Sequence, residues 1–242
     1  MNEPLGKGII VIPAFNEAET LPIMIRELEA ERLGLDILVV NDGSSDNTAD
    51  LLGSLPVKSL THPINLGYGA AVQTGMMYAD RTGYDFLILM DADGQHVPSQ
   101  IRLLTEELAR GKDIVIGSRL AGGGGEYQIP FMRRAGISFF SFLARLLGGM
   151  RILDVTSGFQ AMRKNVFSTL AREYPVDFPD SEVVVLLGRK RYRVAEVPVV
   201  VRARMGGRSM YSDIGTVLYY PFKSILSSFI VLLRLMREQD RR

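Results

Sequence analysis

The sequence predicts an α/β domain with a mostly parallel sheet covered by helices on both faces. Short apolar runs at residues 8–12, 36–40, 57–60, 86–90 and 114–117 have the length of buried strands. Between them, the stretches 19–33, 46–52, 69–81 and 99–110 repeat apolar residues at helical spacing. Strands that alternate with helices are typical of parallel sheets. The 242 residues, 47% of them apolar, are sufficient to bury such a sheet.

Each predicted element follows from a local signal. Buried strands are expected to be continuously apolar, as 8–12 and 86–90 are, and Pro98 followed by Ser99 gives a start signal for the helix at 99–110. After the glycine-rich loop at 121–125 we expect an apolar segment at 137–147, a strand at 158–162, a helix near 181–188 and a strand at 192–201. We therefore predict one domain over 1–212 and a C-terminal docking or oligomerisation helix over 213–242.

Composition excludes several kinds of chemistry. The chain has no cysteine and two histidines, which rules out disulfides, thiol catalysis and His-rich metal sites. The net charge of +1 conceals an asymmetry, because residues 1–100 carry 5 basic and 14 acidic side chains whereas residues 188–242 carry 12 basic and 4 acidic ones. A basic C-terminal part can bind an anionic partner, and a solvated charged surface is the alternative.

Two acidic residues, Asp91 and Asp93, directly follow the predicted strand at 86–90, and Gln95 comes next but one. Carboxylate and amide oxygens are hard ligands, of the kind that Mg²⁺ and Mn²⁺ prefer. A divalent ion held there can neutralise a diphosphate leaving group. An ordinary turn after a strand would have a similar sequence, so the prediction of a metal site depends on the neighbouring motifs.

Acidic residues also follow other predicted strands. Glu17 follows the first strand and Asp42 the second, at the end of a parallel sheet where ligands bind. Each could accept hydrogen bonds from ribose hydroxyls or from a base edge. Gly67 and Gly69 lie near a helix start, where phosphate binds readily. Asp46, by contrast, is expected to cap the following helix.

Six motifs, in this order, resemble family 2 glycosyltransferases of the dolichol-phosphate mannose synthase type, which have the GT-A fold. They are Pro13-Ala14-Phe15-Asn16-Glu17, Asn41-Asp42-Gly43-Ser44, Asn65-Leu66-Gly67-Tyr68-Gly69, Asp91-Ala92-Asp93-Gly94-Gln95, Gly117-Ser118-Arg119 and Ser157-Gly158-Phe159. The resemblance extends over residues 8–212. It implies that the nucleotide is bound by Pro13, Ala14, Phe15, Glu17, Asp42, Gly69, Asp91 and Ala92. It implies that Mg²⁺ or Mn²⁺ is bound by Asp91, Asp93 and Gln95.

The resemblance also covers a basic loop near the end of the predicted domain. Arg204 begins the segment Arg204-Met205-Gly206-Gly207-Arg208-Ser209, which matches the family pattern Arg-x-x-Gly-x-Ser. This match implies that Arg204, Arg208 and Ser209 contact phosphate, a role for which planar guanidinium groups are well suited.

The acceptor is assigned in the same way. Arg119 and one of Arg133 or Arg134 would receive the acceptor's phosphate, although a solvated or lipid-facing helix end is an equal alternative for Arg133 and Arg134. Asp180 lies where related enzymes with hydroxyl acceptors have a base, and a helix N-terminus is the alternative. The residues implied in catalysis are Asp93, Arg119 and Asp180.

The function implied is an inverting glycosyltransferase that moves a sugar from a nucleotide sugar, a UDP-sugar, to a polyprenyl phosphate such as undecaprenyl phosphate for cell-envelope glycan synthesis. Two alternatives stay open. One is transfer to a saccharide hydroxyl with Asp180 as base, and the other is a non-catalytic membrane adaptor on the same fold. A dinucleotide-dependent oxidoreductase is disfavoured, because no Gly-x-Gly-x-x-Gly motif follows the first strand.

The segment at 214–236 is apolar and aromatic and leads to a basic end. Lys223, Arg234 and Pro221 make it a poor transmembrane span, and the pattern favours docking at the membrane surface. We therefore expect a peripheral protein at the cytoplasmic face of the membrane, with a small membrane-anchoring protein and a second copy of the chain as further partners. No nucleic-acid partner is expected.

Overall fold

A seven-stranded sheet with helices on both faces forms the described part of the chain. The structure, a computed structural model, describes residues 4–121, 149–174 and 186–204, together with 137–139, 141–142, 145–146 and 183. The strands are β1 (Gly8–Ala14), β2 (Asp36–Asn41), β3 (Lys58–Thr61), β4 (Phe86–Leu89), β5 (Ile114–Ser118), β6 (Gln160–Arg163) and β7 (Val194–Pro198). The helices are α1 (Leu21–Ala30), α2 (Thr48–Leu52), α3 (Tyr68–Arg81), α4 (Ile101–Ala109), which follows a 3₁₀ turn at Pro98–Gln100, and α5 (Lys164–Glu173). The residues described at 137–146, 183 and 186–189 are helical as well.

The order of strands creates a crevice beside β1. The sheet runs β3-β2-β1-β4-β6-β5-β7, and β6 is antiparallel to both of its neighbours. In the parallel part, Ile9 of β1 lies opposite Asp36 of β2 on one side and Leu87 of β4 on the other. The chain winds outward from β1 through β2 to β3 and then returns to β4, so the strand order reverses between β1 and β4. At such a reversal, ligands bind outside the carboxyl ends of the strands.

Both faces of the sheet are covered, which explains why its strands are continuously apolar. On one face, side chains such as Val11 pack against α3 and α5, and on the other, side chains such as Ile10 pack against α1 and α4. Gly75 permits a close approach of α3 to β1, because a Cβ at this position would lie 2.2 Å from Val11 Cγ1.

The mostly parallel α/β fold and every element predicted before residue 118 are confirmed, with small differences at the ends. β1 continues to Ala14, and α1 ends earlier than expected, at Ala30, shortly before Arg32 adopts a φ of 49°. The strand expected at 192–201 is shorter, Val194–Pro198.

Two features of the fold were not predicted from the sequence: the helix α5 and the antiparallel direction of β6. β6 ends at Arg163 and α5 begins at Lys164, so no turn residues separate the two elements. The apolar residues of α5, including Val166, Phe167 and Leu170, lie at helical spacing, but without a boundary they merged with the preceding strand pattern. The boundary predicted at 212 and the helix predicted at 213–242 lie outside the described residues.

Within the part of the chain that the structure describes, no helix combines the length and the apolar character needed to cross a bilayer.

Candidate functional site

Three acidic side chains lie at the carboxyl ends of β1 and β4, beside the reversal of strand order. Glu17 follows β1, and Asp91 and Asp93 follow β4. Glu17 is close enough to interact electrostatically with Asp93 and with Arg204. The structure thus brings together residues far apart in sequence, and we call Glu17, Asp91 and Asp93 the acidic crevice.

Asn16 fixes the loop that carries Glu17. Its φ of 56° lies in the left-handed region, which asparagine adopts more readily than most residues. The Asn16 N–H donates to Ser44 Oγ at 2.9 Å, and the Asn16 Oδ1 accepts from the Ser45 N–H at 2.8 Å. These bonds join the loop after β1 to the loop after β2.

Glu17 is held within this pair of loops. Its N–H donates to Thr48 Oγ1 at 3.1 Å, and its carboxylate accepts a hydrogen bond from the Thr20 hydroxyl. Burial raises the pKa of Glu17, and the charge of Asp93 adds to this increase, while the Thr20 hydrogen bond and the charge of Arg204 oppose it. A perturbed carboxyl group in a crevice is typical of a functional site.

Asp91 is held from two sides. The Tyr68 hydroxyl donates to Asp91 Oδ1 at 2.9 Å, and His96 Nε2 lies 3.8 Å from Asp91 Oδ2. The His96 ring stacks on Phe159, with ring centroids 4.8 Å apart. Burial disfavours the charged form of Asp91, but His96, Tyr68 and the charge of Arg119 outweigh burial and lower the pKa of Asp91. Asp91 is therefore a carboxylate at neutral pH.

Gly158 leaves room for this carboxylate. A Cβ at position 158 would lie 2.2 Å from Asp91 Oδ2 and 2.5 Å from Asp91 Oδ1. The preceding Ser157 donates its hydroxyl to the Gly117 carbonyl at 2.6 Å and so fixes the segment against β5. The motif Ser157-Gly158-Phe159 therefore forms one wall of the acidic crevice.

Asp93 is 6% exposed, and both of its carboxylate oxygens accept hydrogen bonds. The Gln95 N–H donates to Oδ1 at 3.0 Å. Arg204 donates to Oδ2 from Nε at 3.2 Å and from Nη2 at 2.9 Å. A buried carboxylate is unfavourable without a compensating charge, and Arg204 supplies that charge.

A short segment beside Gln95 and His96 positions Arg204. The Arg202 N–H donates to the Gln95 carbonyl at 2.9 Å, Gln95 Nε2 donates back to the Arg202 carbonyl at 3.2 Å, and His96 pairs with Val201 in a β-bridge. The Arg202 guanidinium binds the Glu27 carboxylate at 2.8 and 2.9 Å. Arg204 thus enters the acidic crevice from an anchored backbone.

The oxygens of Asp91, Asp93 and Gln95 fit a divalent cation that prefers hard ligands. The Asp91 side chain is 29% exposed, so its carboxylate is accessible from the crevice. Among the residues that the structure describes, no three or more His, Asp or Glu side chains form a group that could by itself hold a metal. A cation here would therefore take its remaining ligands from phosphate oxygens and water, as Mg²⁺ commonly does.

Asp42 has structural contacts on each of its carboxylate oxygens. Oδ1 accepts from the Leu66 N–H at 2.9 Å and lies 2.7 Å from His62 Nδ1, while Oδ2 accepts from the Gly67 N–H at 2.8 Å. His62 Nε2 is in turn 2.9 Å from Thr74 Oγ1. With 3% exposure, Asp42 ties β2 to the loop before α3, and its predicted nucleoside contact stays a prediction.

Arg119 is bound to a buried aspartate, Asp154, that was not among the predicted site residues. Its Nε and Nη2 donate to Asp154 Oδ2 and Oδ1 at 2.7 and 2.6 Å, and Nη2 also donates to Thr156 Oγ1 at 2.8 Å. Asp154 is 0% exposed, and its own N–H donates to Glu196 Oε1 at 2.9 Å. Arg119 therefore serves the fold through Asp154 and adds positive charge near Asp91.

The other predicted residues divide into two groups. Pro13 and Ala14 are buried in β1, Phe15 is 43% exposed at the end of β1, Gly69 is buried in the first turn of α3, and Ala92 is buried between the two aspartates. The following predicted site residues lie outside the described residues: Asp180, Arg133, Arg134, Arg208 and Ser209. We expected Asp46 at the N-cap of the helix that follows it, but the N-cap of α2 is the next residue, Asn47. The Asp46 side chain still accepts the Thr48 N–H at 3.0 Å.

Sequence reasoning gave no role to Tyr68, Asp154 or the pair of Glu27 and Arg202. Tyr68 could have been found, since it stands within a recognised motif at the start of a predicted helix. Asp154 and Glu27 carry no local signal, because their partners are remote in sequence: Arg119 for Asp154 and Arg202 for Glu27.

Known proteins are similar to this chain over most of its length. A family model described as glycosyl transferase family 2 matches residues 9–171. Polyprenol monophosphomannose synthase of Mycolicibacterium smegmatis is 33% identical over 173 residues, which span 69% of this chain and 65% of that protein's length. Undecaprenyl-phosphate mannosyltransferase of Micrococcus luteus is 31% identical over 215 residues, with 84% and 87% covered.

Two further proteins extend the comparison. A UDP-N-acetylglucosamine–dolichyl-phosphate N-acetylglucosaminyltransferase of Methanococcus voltae is 28% identical over 210 residues, which span 78% of this chain and 83% of that protein. Glucosyl-3-phosphoglycerate synthase from Mycobacterium tuberculosis, solved with Mn²⁺, uridine diphosphate and glucosyl-3-phosphoglycerate, matches with a TM-score of 0.66 at 20% identity, covering 92% of this chain and 80% of that one. This similarity confirms the predicted GT-A fold.

Proposed function

We propose a function from one premise: the chain belongs to glycosyl transferase family 2. The protein transfers a sugar from a nucleotide sugar, a UDP-sugar, to the phosphate of a polyprenyl phosphate such as undecaprenyl phosphate. The anomeric carbon is inverted, and the lipid-linked sugar is used for cell-envelope glycans.

The observation that carries this proposal is the acidic crevice at the reversal of strand order, with Arg204 beside it. Carboxylates there suit a divalent cation, and guanidinium groups suit phosphate oxygens. A nucleotide sugar whose diphosphate is bound through a cation satisfies both requirements.

Asp91, Asp93 and Gln95 would hold Mg²⁺ or Mn²⁺ at this position. When bound, the cation neutralises charge that develops on the diphosphate leaving group. The synthase of similar fold that was solved with Mn²⁺ and uridine diphosphate supports this choice of cation and donor. Glu17, which is partly buried at the end of β1, would accept hydrogen bonds from the nucleoside, with Phe15 exposed beside it.

The names of the relatives support the acceptor more strongly than the sugar. The mycobacterial, micrococcal and archaeal relatives are each named for a polyprenol, undecaprenyl or dolichyl phosphate product or substrate. Their sugars differ, because two are named for mannose and one for N-acetylglucosamine. The sugar is therefore left to experiment.

Chemically, the reaction is an in-line displacement. A phosphate oxygen of the acceptor attacks the anomeric carbon while the bond from that carbon to the donor's diphosphate breaks. Because the attacking oxygen is already anionic near pH 7, the protein needs little general-base help and acts by positioning and by stabilising charge. Arg119 would contribute its positive charge and, with Arg133 or Arg134, contact the acceptor phosphate.

The lipid acceptor requires access to a membrane surface. Phe142 and Leu146, two of the residues described between 137 and 146, are 63% and 66% exposed. This exposed apolar pair supports peripheral docking at the cytoplasmic face of the membrane. A small membrane-anchoring protein and a second copy of the chain belong to the same proposal.

The test is a panel of UDP- and GDP-sugars incubated with the full chain and Mg²⁺ or Mn²⁺, with the membrane fraction supplied, and with either undecaprenyl phosphate or a saccharide as acceptor. We expect one sugar to appear in a lipid-linked product. Transfer to a saccharide but not to the lipid phosphate would favour a hydroxyl acceptor with Asp180 as base. Absence of transfer across the panel would contradict the proposal and leave a non-catalytic adaptor.

A further inference from the structure

We propose that Arg204 is a built-in counter-ion that competes with the divalent cation for the Asp93 carboxylate. In this view Arg204 weakens the binding of a cation alone and strengthens the joint binding of cation and nucleoside diphosphate. The inference rests on the proposed function, because it takes Asp93 as a ligand of the cation.

The contact between Arg204 and Asp93 is direct and specific. Two guanidinium nitrogens, Nε and Nη2, donate to the same oxygen, Asp93 Oδ2, at 3.2 and 2.9 Å. The second oxygen, Oδ1, accepts the Gln95 N–H. Of the roughly four acceptor sites of the carboxylate, Arg204 takes both of those on Oδ2 and the Gln95 N–H takes one on Oδ1. A cation that binds through Oδ2 must displace Arg204, and one that binds through Oδ1 lies beside the guanidinium charge.

Charge opposes binding of both partners to Asp93 at the same time. A guanidinium and a divalent cation on the same carboxylate oxygen would repel each other strongly at a site that is only 6% exposed. The side chain of Arg204 is 34% exposed, whereas that of Asp93 is 8% exposed. The arginine is thus the partner that can move outward, and the aspartate is the partner that stays.

The anchored backbone limits how far Arg204 can move. Arg202 is fixed to Gln95 by two hydrogen bonds and to Glu27 by an ion pair, so the segment remains beside the crevice. A displaced Arg204 side chain would keep its guanidinium within reach of a diphosphate bound at the same crevice. The diphosphate would then replace Asp93 as the partner of Arg204.

The consequence is thermodynamic coupling between the two ligands. A cation alone must displace Arg204 without offering it a new partner, whereas a cation that arrives with a diphosphate supplies one. Each ligand therefore increases the affinity for the other by the same factor. Arg204 sets the size of this factor.

The test measures Mn²⁺ binding to the full chain by calorimetry or electron paramagnetic resonance, first alone and then with saturating uridine or guanosine diphosphate. For Arg204→Met we expect Mn²⁺ alone to bind about tenfold more tightly than in the wild type, since a nearby positive charge is removed. With the diphosphate present, we expect Mn²⁺ to bind about tenfold more weakly, since the phosphate loses a charge-assisted hydrogen bond.

Arg110→Met is the control for the loss of one positive charge, because the Arg110 guanidinium pairs with Glu107 at the C-terminal end of α4 and not with Asp93. We expect it to leave the affinity for Mn²⁺ alone unchanged. Arg204→Lys, which keeps the charge, should behave like the wild type with Mn²⁺ alone. In the Asp93→Asn background, Arg204→Met should give no gain.

Three results would overturn the inference: equal Mn²⁺ affinity of the wild type and Arg204→Met, an equal gain in Arg110→Met, or no Mn²⁺ binding to Arg204→Met at millimolar concentration. Failure of the proposed function has a different signature. In that case neither diphosphate would bind with Mn²⁺ and no sugar would be transferred. The affinities for Mn²⁺ alone would still show whether Arg204 weakens Mn²⁺ binding.

Discussion

At the scale of single residues, Asp91 has neighbours on both oxygens of its carboxylate. Tyr68 donates to one of its oxygens, His96 faces the other, and Gly158 lies against both. These contacts fix the carboxylate before any ligand binds, and such preorganisation is what a binding site for a metal-bound diphosphate requires.

Gly158→Ala tests this arrangement, because the new Cβ would occupy the space of the Asp91 carboxylate. We expect a fall in sugar transfer of about 10²-fold, the effect of moving a site group by roughly 1 Å. The loss of stability should be about 1–3 kcal/mol. Steady-state kinetics and urea unfolding measure the two effects.

Gly53→Ala is the control for this substitution, since a Cβ at position 53 meets its nearest atom at 3.4 Å, and Gly53 is the C-cap of α2, at the opposite end of that helix from the residue that contacts Glu17. It should leave transfer unchanged. Wild-type kinetics in Gly158→Ala would contradict the claim that sugar transfer depends on a fixed position of the Asp91 carboxylate.

At the scale of elements, α3 links the core to the site. Its first residue, Tyr68, holds Asp91, and Gly75 in its middle packs on Val11 of β1. The distance of α3 from the sheet therefore affects the position of the Tyr68 hydroxyl.

Gly75→Ala should force α3 away from β1, since the added Cβ would lie 2.2 Å from Val11 Cγ1. We expect a destabilisation of about 1–3 kcal/mol by urea unfolding. The same substitution in a Val11→Ala background should cost at least about 1 kcal/mol less, because the clashing methyl group is gone. Equal costs in both backgrounds would contradict the proposed contact.

A second link between elements joins the starts of β5 and β7. Asp113 accepts hydrogen bonds from the Arg193 N–H at 2.7 Å and from its guanidinium at 3.1 Å, and also from Asn165. Burial opposes the charged form of Asp113, but these bonds outweigh burial and hold its pKa below the ordinary value. A lowered pKa in the folded state stabilises the protein at neutral pH and loses this effect on acidification.

Asp113→Asn should therefore destabilise the protein by about 1–2 kcal/mol at neutral pH, a value at the lower end because the Arg193 side chain is 64% exposed. Below the ordinary aspartate pKa of about 3.9, the difference from the wild type should shrink as the native carboxylate takes up its proton. Urea unfolding at several pH values measures the change, with Asp50→Asn on the exposed surface of α2 as control. A difference that does not depend on pH would contradict the assignment.

Elements differed in how far they could be predicted. β1, β4 and α3 carry strong periodic patterns between clear turns, and the structure has each of them within a few residues of its predicted range. α5 was missed because it begins directly after β6. The antiparallel direction of β6 depends on pairing with β4 and β5, which are remote in sequence and leave no trace in a local pattern.

At the scale of the whole molecule, the charge asymmetry of the chain has a structural counterpart. The acidic crevice comes from residues 17–93, in the acidic N-terminal part, whereas Arg204 comes from the basic C-terminal part. The crevice forms where these two parts of the chain meet.

The fold also explains how much of the candidate site could be predicted from the sequence. Residues that directly follow a strand, such as Glu17, Asp91 and Asp93, were identified because strand ends are readable from sequence. The pairing of Asp93 with Arg204, and that of Arg119 with Asp154, required the fold, since 111 and 35 residues separate the partners. For Asp42, the structure adds a role in joining β2 to the loop before α3 that its motif did not suggest.

The central claim is that the acidic crevice binds a nucleotide sugar for transfer to a polyprenyl phosphate. It is tested most directly by measuring lipid-linked product from the wild type and from Asp93→Asn with the donor that the panel identifies. We predict a loss of about 10²- to 10³-fold in Asp93→Asn, comparable to removing one preorganised charge-stabilising group, and none in Asp50→Asn. Equal rates of transfer for the wild type and Asp93→Asn would contradict the account.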